Sequence, residues 1–265
     1  MKPYLRFLAF ILIAAVMSGI PVVTLAEEEA DKPGASADLG VFSQYIWRGF
    51  ELSDDSIVIQ PSVTLDYKGF SFNIWGNLDT KLKRDSGDGS ENDDVKYNET
   101  DLTLSYGRDL GAISLNGGMI YYALDSEQDS QEVFVSVTVN TLLSPTFSVY
   151  REISHLPAWY ASLEISHSQE IYNQITLDLS ASAGYYYSDD DDFSEIENPD
   201  SRYRTLHDGL ITAGLTIPIG ESASVHPIIA YSFPISGTAD DYITAGSISD
   251  ASDFLYGGVT LSVAF

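Results

Sequence analysis

His207 and Asp208 stand side by side in this 265-residue chain, and an imidazole next to a carboxylate is raw material for acid–base hydrolysis. Neighbours on a strand point to opposite faces, so the two serve one site only where the backbone is irregular. The other histidines, His155, His167 and His226, are scattered, and no set of nucleophile, base and orienter can be read from their positions. A hydrolase is therefore the third reading of this chain. No catalytic residue is expected.

The densest chemistry is acidic. Asp189, Asp190, Asp191 and Asp192 run together ahead of Glu195, Glu197 and Asp200, and Asp85, Asp88, Glu91, Asp93 and Asp94 form a second cluster. Carboxylates of this density take Ca²⁺ or Mg²⁺ through oxygen, but neither run has the spacing of a calcium loop. The plain reading is a solvated charge run that holds such cations loosely, with no tight cofactor. At a pore mouth, rings of Asp and Glu concentrate cations and repel anions. The formal net charge of -26 excludes a nucleic-acid partner, and the absence of cysteine removes disulfides and thiolate ligation.

These loops need a scaffold. Lys2 and Arg6 precede FLAFILIAAVM, and VTLA offers Ala26 for cleavage, so residues 1–26 read as a secretory signal peptide. Residues 27–37 then form a short periplasmic tail, and 38–265 carry period-2 alternation with no sustained helical period. Twelve strands are expected, at 38–48, 57–67, 69–78, 99–107, 112–122, 132–140, 145–152, 159–167, 175–187, 208–218, 224–233 and 254–265. Strands of this length, tilted as in a barrel, cover about 25 Å, the apolar band of an outer-membrane barrel. Short connections such as KG and RDLG alternate with long acidic ones, the short ISHLPA excepted, as periplasmic turns alternate with external loops.

The two faces differ in kind. One is aliphatic, with Val133, Val135, Val137 and Val139 as an example; the other is small, polar and free of lysine. That suits lipid outside and water inside. By parity the pore-lining candidates are Arg48, Gln60, Asp66, Asn73, Trp75, Asp101, Glu164 and Asp178, with a one-residue slip as the failure mode. Arg48 faces carboxylates across a constriction or ties down the first acidic loop. Lumenal Trp75, Tyr122, Tyr150 and Tyr160 are bulky enough to obstruct the passage. Aromatic girdles are expected from Tyr67, Phe70, Tyr106 and Phe265 at one end, and from Tyr45, Trp47, Tyr121, Trp159, Tyr185 and Phe233 at the other. Alternation ending on Phe265 reads as the signal by which barrel-assembly machinery recognises its substrates.

The segment SQYIWRGFELSDDSIVIQPSVTLDYKGFSFNIWGN resembles the opening of the TorF-type porins, a proteobacterial outer-membrane family. Ser43, Tyr45, Arg48, Gly49, Ser53, Gln60, Asp66, Tyr67, Gly69, Phe70, Trp75 and Gly76 carry the likeness, and Asn77 departs from it. The resemblance implies a barrel and a porin, with no catalytic residue to carry over.

The expectation is an all-β, antiparallel, up-and-down transmembrane β-barrel of twelve strands in the outer membrane of a Gram-negative bacterium. It contacts lipid and lipopolysaccharide and passes small hydrophilic solutes by diffusion, cations preferred. The second reading is a non-conducting surface barrel with a plugged lumen, whose acidic loops bind divalent cations or a partner.

Overall fold

The computed structural model describes residues 32–53, 56–85, 91–125, 127–191 and 193–265, and the side chains of 82–85 and 91–94 lie outside that description. The expected signal peptide, 1–26, also lies outside the described residues.

Fourteen strands and one helix are present among the described residues. β1 (Gly34–Phe42) is followed by two short strands, β2 (Ile46–Trp47) and β3 (Phe50–Glu51). Then come β4 (Val58–Tyr67), β5 (Phe70–Asp85), β6 (Glu91–Asp109), β7 (Ile113–Leu124) and β8 (Ser130–Val139). β9 (Thr146–Glu152), β10 (Ala158–Tyr172), β11 (Ile175–Ser188), β12 (Arg204–Ile219) and β13 (Ala223–Pro234) continue the series. Helix α1 (Gly237–Gly246) precedes β14 (Phe254–Ala264).

All but β2 and β3 form one closed antiparallel barrel, in the order β1-β14-β13-β12-β11-β10-β9-β8-β7-β6-β5-β4 and back to β1. Closure leaves no unpaired edge. At the seam Leu39 lies opposite Leu261 and Val41 opposite Val259. Leu39, Val41, Val63, Leu65, Leu104, Val135, Leu163, Ile211, Val259 and Leu261 all stand exposed on the outer wall. Ser62, Ser148, Asp101, Glu132 and Ser232, of the other parity, are buried. A barrel turned apolar-out is built for lipid.

Turn chemistry sets the short-turn end. Lys68–Gly69 and Asn173–Gln174 both have positive φ at two successive residues, the signature of the type I′ turn that matches strand twist. Tyr67, Phe70, Tyr106 and Phe265 are exposed around this end, as expected of a girdle. At the other end Trp159 and Tyr185 are exposed and Tyr121 and Phe233 half-buried, but Tyr45 and Trp47 are not on the wall at all. Both are buried inside the barrel.

Two further departures concern the long-loop end. The first strand runs from Gly34 to Phe42 rather than over 38–48, and the chain then turns inward. The last long connection holds α1, whose buried residues Ala239, Tyr242 and Ile243 fall at helical spacing behind the N-cap Ser236. That pattern is one short face within a polar loop, too brief to register as a sustained period.

Candidate functional site

The segment after β1 is a hairpin folded into the lumen. Ser43 holds its root: the Ser43 N–H donates to the Gly257 carbonyl at 2.9 Å, and Ser43 Oγ accepts from the Gly257 N–H at 3.1 Å. The base closes where Leu52 N–H meets the Tyr45 carbonyl at 2.8 Å and Tyr45 N–H meets Ser53 Oγ at 2.7 Å. β2 and β3 pair Ile46 with Glu51 and Trp47 with Phe50. Between them Arg48 and Gly49 have φ of 43° and 86°, a third turn of the I′ kind. A Cβ on Gly49 would stand 2.8 Å from Ile243 Cδ1, so the position requires glycine for both torsion and space. Ser43, Tyr45, Arg48, Gly49 and Ser53, five of the residues that carry the resemblance, thus build one object.

The tip reaches the far wall. Arg48 donates from Nη1 and Nη2 to the two oxygens of Glu132 on β8, each at 2.9 Å, and from Nη1 to Tyr186 Oη at 3.2 Å. β8 is five strands from β1 in the barrel order, close to diametrically opposite. The guanidinium carbon lies 4.1 Å from the Tyr160 ring centre, 4.6 Å from that of Trp47 and 4.8 Å from that of Tyr150. Tyr122 also donates to Glu132 at 2.9 Å. A buried bidentate pair inside an aromatic box is satisfied only while both partners stay. Arg48 was expected on a strand wall; it is a bolt across the lumen, and the tie is to Glu132 of the opposite wall rather than to an acidic loop.

His207 and Asp208 are brought inside together, because the β11–β12 register slips between Ala183 and Tyr185. This bulge overrides the parity that separates neighbours on a regular strand. The two nevertheless serve different partners. His207 Nε2 lies 2.8 Å from the Arg48 carbonyl, which can only accept, so Nε2 carries the hydrogen. Nδ1 then accepts from Tyr203 Oη at 2.6 Å, and Asp208 accepts from Tyr160 Oη at 2.9 Å. His207 is fully buried, locked to the hairpin backbone.

Residues 193–203 and α1 close over the hairpin. Phe193 stacks on Tyr203 at 5.1 Å, Tyr203 meets Tyr242 at 4.3 Å, and Tyr242 meets Phe50 at 6.0 Å. Burial pushes the phenols of Tyr203 and Tyr242 up, which keeps both neutral. Glu51 ties the layers: its N–H donates to Ser247 Oγ at 3.1 Å, and its carboxylate accepts from Ser249 N–H at 3.0 Å and Gln44 at 2.8 Å. Trp47 has no exposed surface, and neither does Tyr203 or His207. The long-loop half of the lumen is a packed aromatic core.

The short-turn half is different. Ser136 meets Ser148 at 2.8 Å, Thr138 meets Thr146 at 2.9 Å and Ser180 meets Thr212 at 2.6 Å across adjacent strands. Asp178 accepts from Thr216 at 2.7 Å and Ser168 at 2.5 Å, and Asp38 from Ser262 at 2.5 Å. Asn73 bonds Ser62 and Thr64 at 2.8 Å each. Of the pore-lining candidates, Asn73, Glu164 and Asp178 are half-buried in this hydroxyl-rich vestibule and Asp66 is exposed at its rim, while Gln60 lies higher, bonded to buried Asn77 at 3.1 Å. Trp75 and Asp101 sit deeper, buried beside the hairpin rather than along a passage.

Two of the acidic candidates for metal are committed to arginines. Asp189 accepts from Arg151 at 2.6 Å and Asp191 from Arg202 at 2.6 Å, while Arg204 stacks on Tyr187 at 4.0 Å. Asp192 and the acidic side chains between 85 and 94 lie outside the described residues. Among the described residues no three of His, Cys, Asp and Glu converge as a metal site.

Sequence reasoning missed Glu132, Glu99 and Glu152, because a lone Glu at the upper end of a strand reads like a solvated rim. Glu152 collects the N–H groups of Ser154, His155 and Leu156 at 2.8, 3.2 and 3.0 Å, and bonds Ser130 and the Ser154 hydroxyl. Glu152→Ala should leave these donors without their acceptor, at about 1–3 kcal/mol per buried group. Amide exchange at 154–156 is expected to accelerate at least tenfold while the strands stay protected. Unchanged exchange there would show that the loop does not depend on this carboxylate.

No protein-family pattern matches the chain, and no curated protein sequence does. Solved structures do. The NanC porin shares 10% identity at a TM-score of 0.51, over 87% of this chain and 98% of that one. Outer-membrane OmpT of Vibrio cholerae shares 8% at 0.40 over 88% and 96%, and the anion-selective porin of Comamonas acidovorans 9% at 0.35 over 88% and 99%. The likeness to the NanC porin is one of fold.

Proposed function

We propose that this transmembrane barrel is a porin held shut on its outer side by its own inward hairpin, and that it passes small hydrophilic solutes, cations preferred, when the hairpin yields. The observation that carries the reading is the division of one lumen into a hydroxyl- and carboxylate-lined vestibule and a packed aromatic closure. A barrel meant only as a scaffold has no use for a wet half; a barrel meant to stand open has no use for the bolt. Asp178, Glu164 and Asp38 on the vestibule wall favour cations, and the acidic outer loops reinforce the preference. No chemical step belongs to this reading. The outer wall faces lipid and the loops face lipopolysaccharide, whose cations they share. Phe265, 80% exposed beside the seam where its backbone pairs with Ala35, is offered to the assembly machinery.

Reversal potentials under a KCl gradient test the selectivity, with residues 44–52 replaced by a short Gly-Ser linker so that current is measurable. The opened barrel is expected to be cation-selective, and Asp178→Asn with Glu164→Gln to move its reversal potential toward zero. An anion-selective opened barrel would refute the preference.

The second reading is a permanently closed barrel whose loops bind a partner. It draws on the complete burial of Trp47, Tyr203 and His207. A barrel opened only by deletion, and by no single substitution at the bolt, would favour it.

A further inference from the structure

Glu99 and Asp101 project from β6 into the same side of the lumen, two residues apart, and both are buried. Arg48, the cation at this depth, is already committed to Glu132. Glu99 Oε1 and both carboxylate oxygens of Asp101 have no hydrogen-bond partner among the described residues. A third group points the same way from a different element. The Tyr45 hydroxyl, at the hairpin base, is buried against Glu99 and Asp101, and beyond that pair it has no hydrogen-bond partner among the described residues. The walls are apolar: Trp75 and Tyr122 flank Asp101 in register on either side, and Tyr45 leans on Trp75 with ring centres 5.6 Å apart. Neighbouring polar groups are engaged elsewhere, Asn77 with Gln60 and Asn98, and Asp79 with Lys81 N–H.

Burying an unpaired carboxylate costs several kcal/mol, and two side by side repel each other as well. Four oxygens from Glu99, Asp101 and Tyr45 gathered in an aromatic pocket lack a positive partner of their own. We propose that Glu99, Asp101 and the Tyr45 hydroxyl bind a hard metal cation of the Ca²⁺ class. All ligands are oxygens, two of them formally charged, as such an ion requires, with water completing the shell. The ion ties the hairpin base to β6, two strands from the Glu132 that anchors the tip, so the hairpin is held at base and tip. The site stands whether or not the barrel conducts. It is distinct from the outer loops, whose Asp189 and Asp191 have arginine partners.

Terbium is the probe, because Trp75 and Tyr45 beside the ligands would sensitise its emission. The full chain is refolded in detergent, with folding checked by heat-modifiable gel mobility, and titrated with Tb³⁺ and then with Ca²⁺ in competition. Wild type should show a saturable component that Ca²⁺ displaces. Glu99→Gln and Asp101→Asn should each weaken it roughly tenfold or more, since affinity follows the count of charged ligands. Trp75→Phe should dim the emission without moving the midpoint. Tyr45→Phe, which leaves both carboxyls and the packing in place, should weaken binding a few-fold and serves if the carboxyl variants do not fold. Variants that titrate like wild type would overturn the site, assigning the signal to the loops. Absence of a Ca²⁺-displaceable component in wild type would also overturn it, with a shared proton then holding the two carboxyls.

Discussion

Arg48→Ala is expected to convert a nearly silent barrel into one that opens readily. Breaking one side of a buried, hydrogen-bonded ion pair costs about 3–5 kcal/mol, because Glu132 is left charged and unpaired in an aromatic pocket. The hairpin stands outside the barrel ladder, so this cost falls on the closed state rather than on the strands. Converted to populations, it is roughly a 10²–10⁴-fold rise in the open-to-closed ratio. Single-channel recording in planar bilayers reads that ratio directly. Arg48→Met combined with Glu132→Leu removes both charges and refills the space, and should return the barrel toward silence, as apolar replacements of buried pairs often do. Equal activity in wild type and Arg48→Ala would show that the pair does not hold the closure.

Gly49→Val should have the next largest effect, through shape rather than charge. The position has φ of 86°, and its Cβ would press on Ile243 Cδ1 at 2.8 Å and on Asp208 Cβ at 3.2 Å. A β-branched residue at such a torsion costs about 1–3 kcal/mol, and overpacking adds about as much again. The hairpin and α1 should shift together, so proteolysis within 235–253 is expected to quicken alongside channel opening. Gly69→Val is the comparison that isolates the mechanism. It too has a positive φ, at 84°, and its Cβ would meet the Gly107 carbonyl at 2.7 Å, but it lies in a short turn far from the closure. That variant should lower barrel stability and leave the pore shut. Opening in both would point to general loosening.

The barrel was legible in the sequence because lipid and water impose a period of two on every strand. Val133 and Val135 alternate with Glu132, Phe134 and Ser136, and that rhythm alone places them on opposite faces. The same rhythm misled at 43–48, where Tyr45 and Trp47 continue the alternation of β1 across the point where the chain leaves the wall. What distinguishes the hairpin is its turn: an Arg-Gly pair between Trp47 and Phe50 is a two-residue loop with a glycine where the torsion demands one. That signal was present, and the length of an expected strand overrode it. His207 and Asp208 were separated by a parity rule that a bulge suspends, and a bulge leaves little trace in a single sequence. Asn73, Glu164 and Asp178 share the less exposed parity of their strands. What sequence could not supply was depth, which decides whether a lumenal side chain such as Asp101 meets water or a packed hairpin.

The central claim is that the hairpin fills the lumen, and the chain's three tryptophans allow a direct test. With Trp75→Phe and Trp159→Phe, Trp47 is the sole indole, and its quenching in refolded proteoliposomes reports its surroundings. A lumen-seated Trp47 should emit at short wavelength and resist both aqueous acrylamide and brominated lipid. Ready quenching by acrylamide would mean that the hairpin hangs in water above an open pore. Quenching by brominated lipid would return Trp47 to the outer girdle, and either result would contradict the closure.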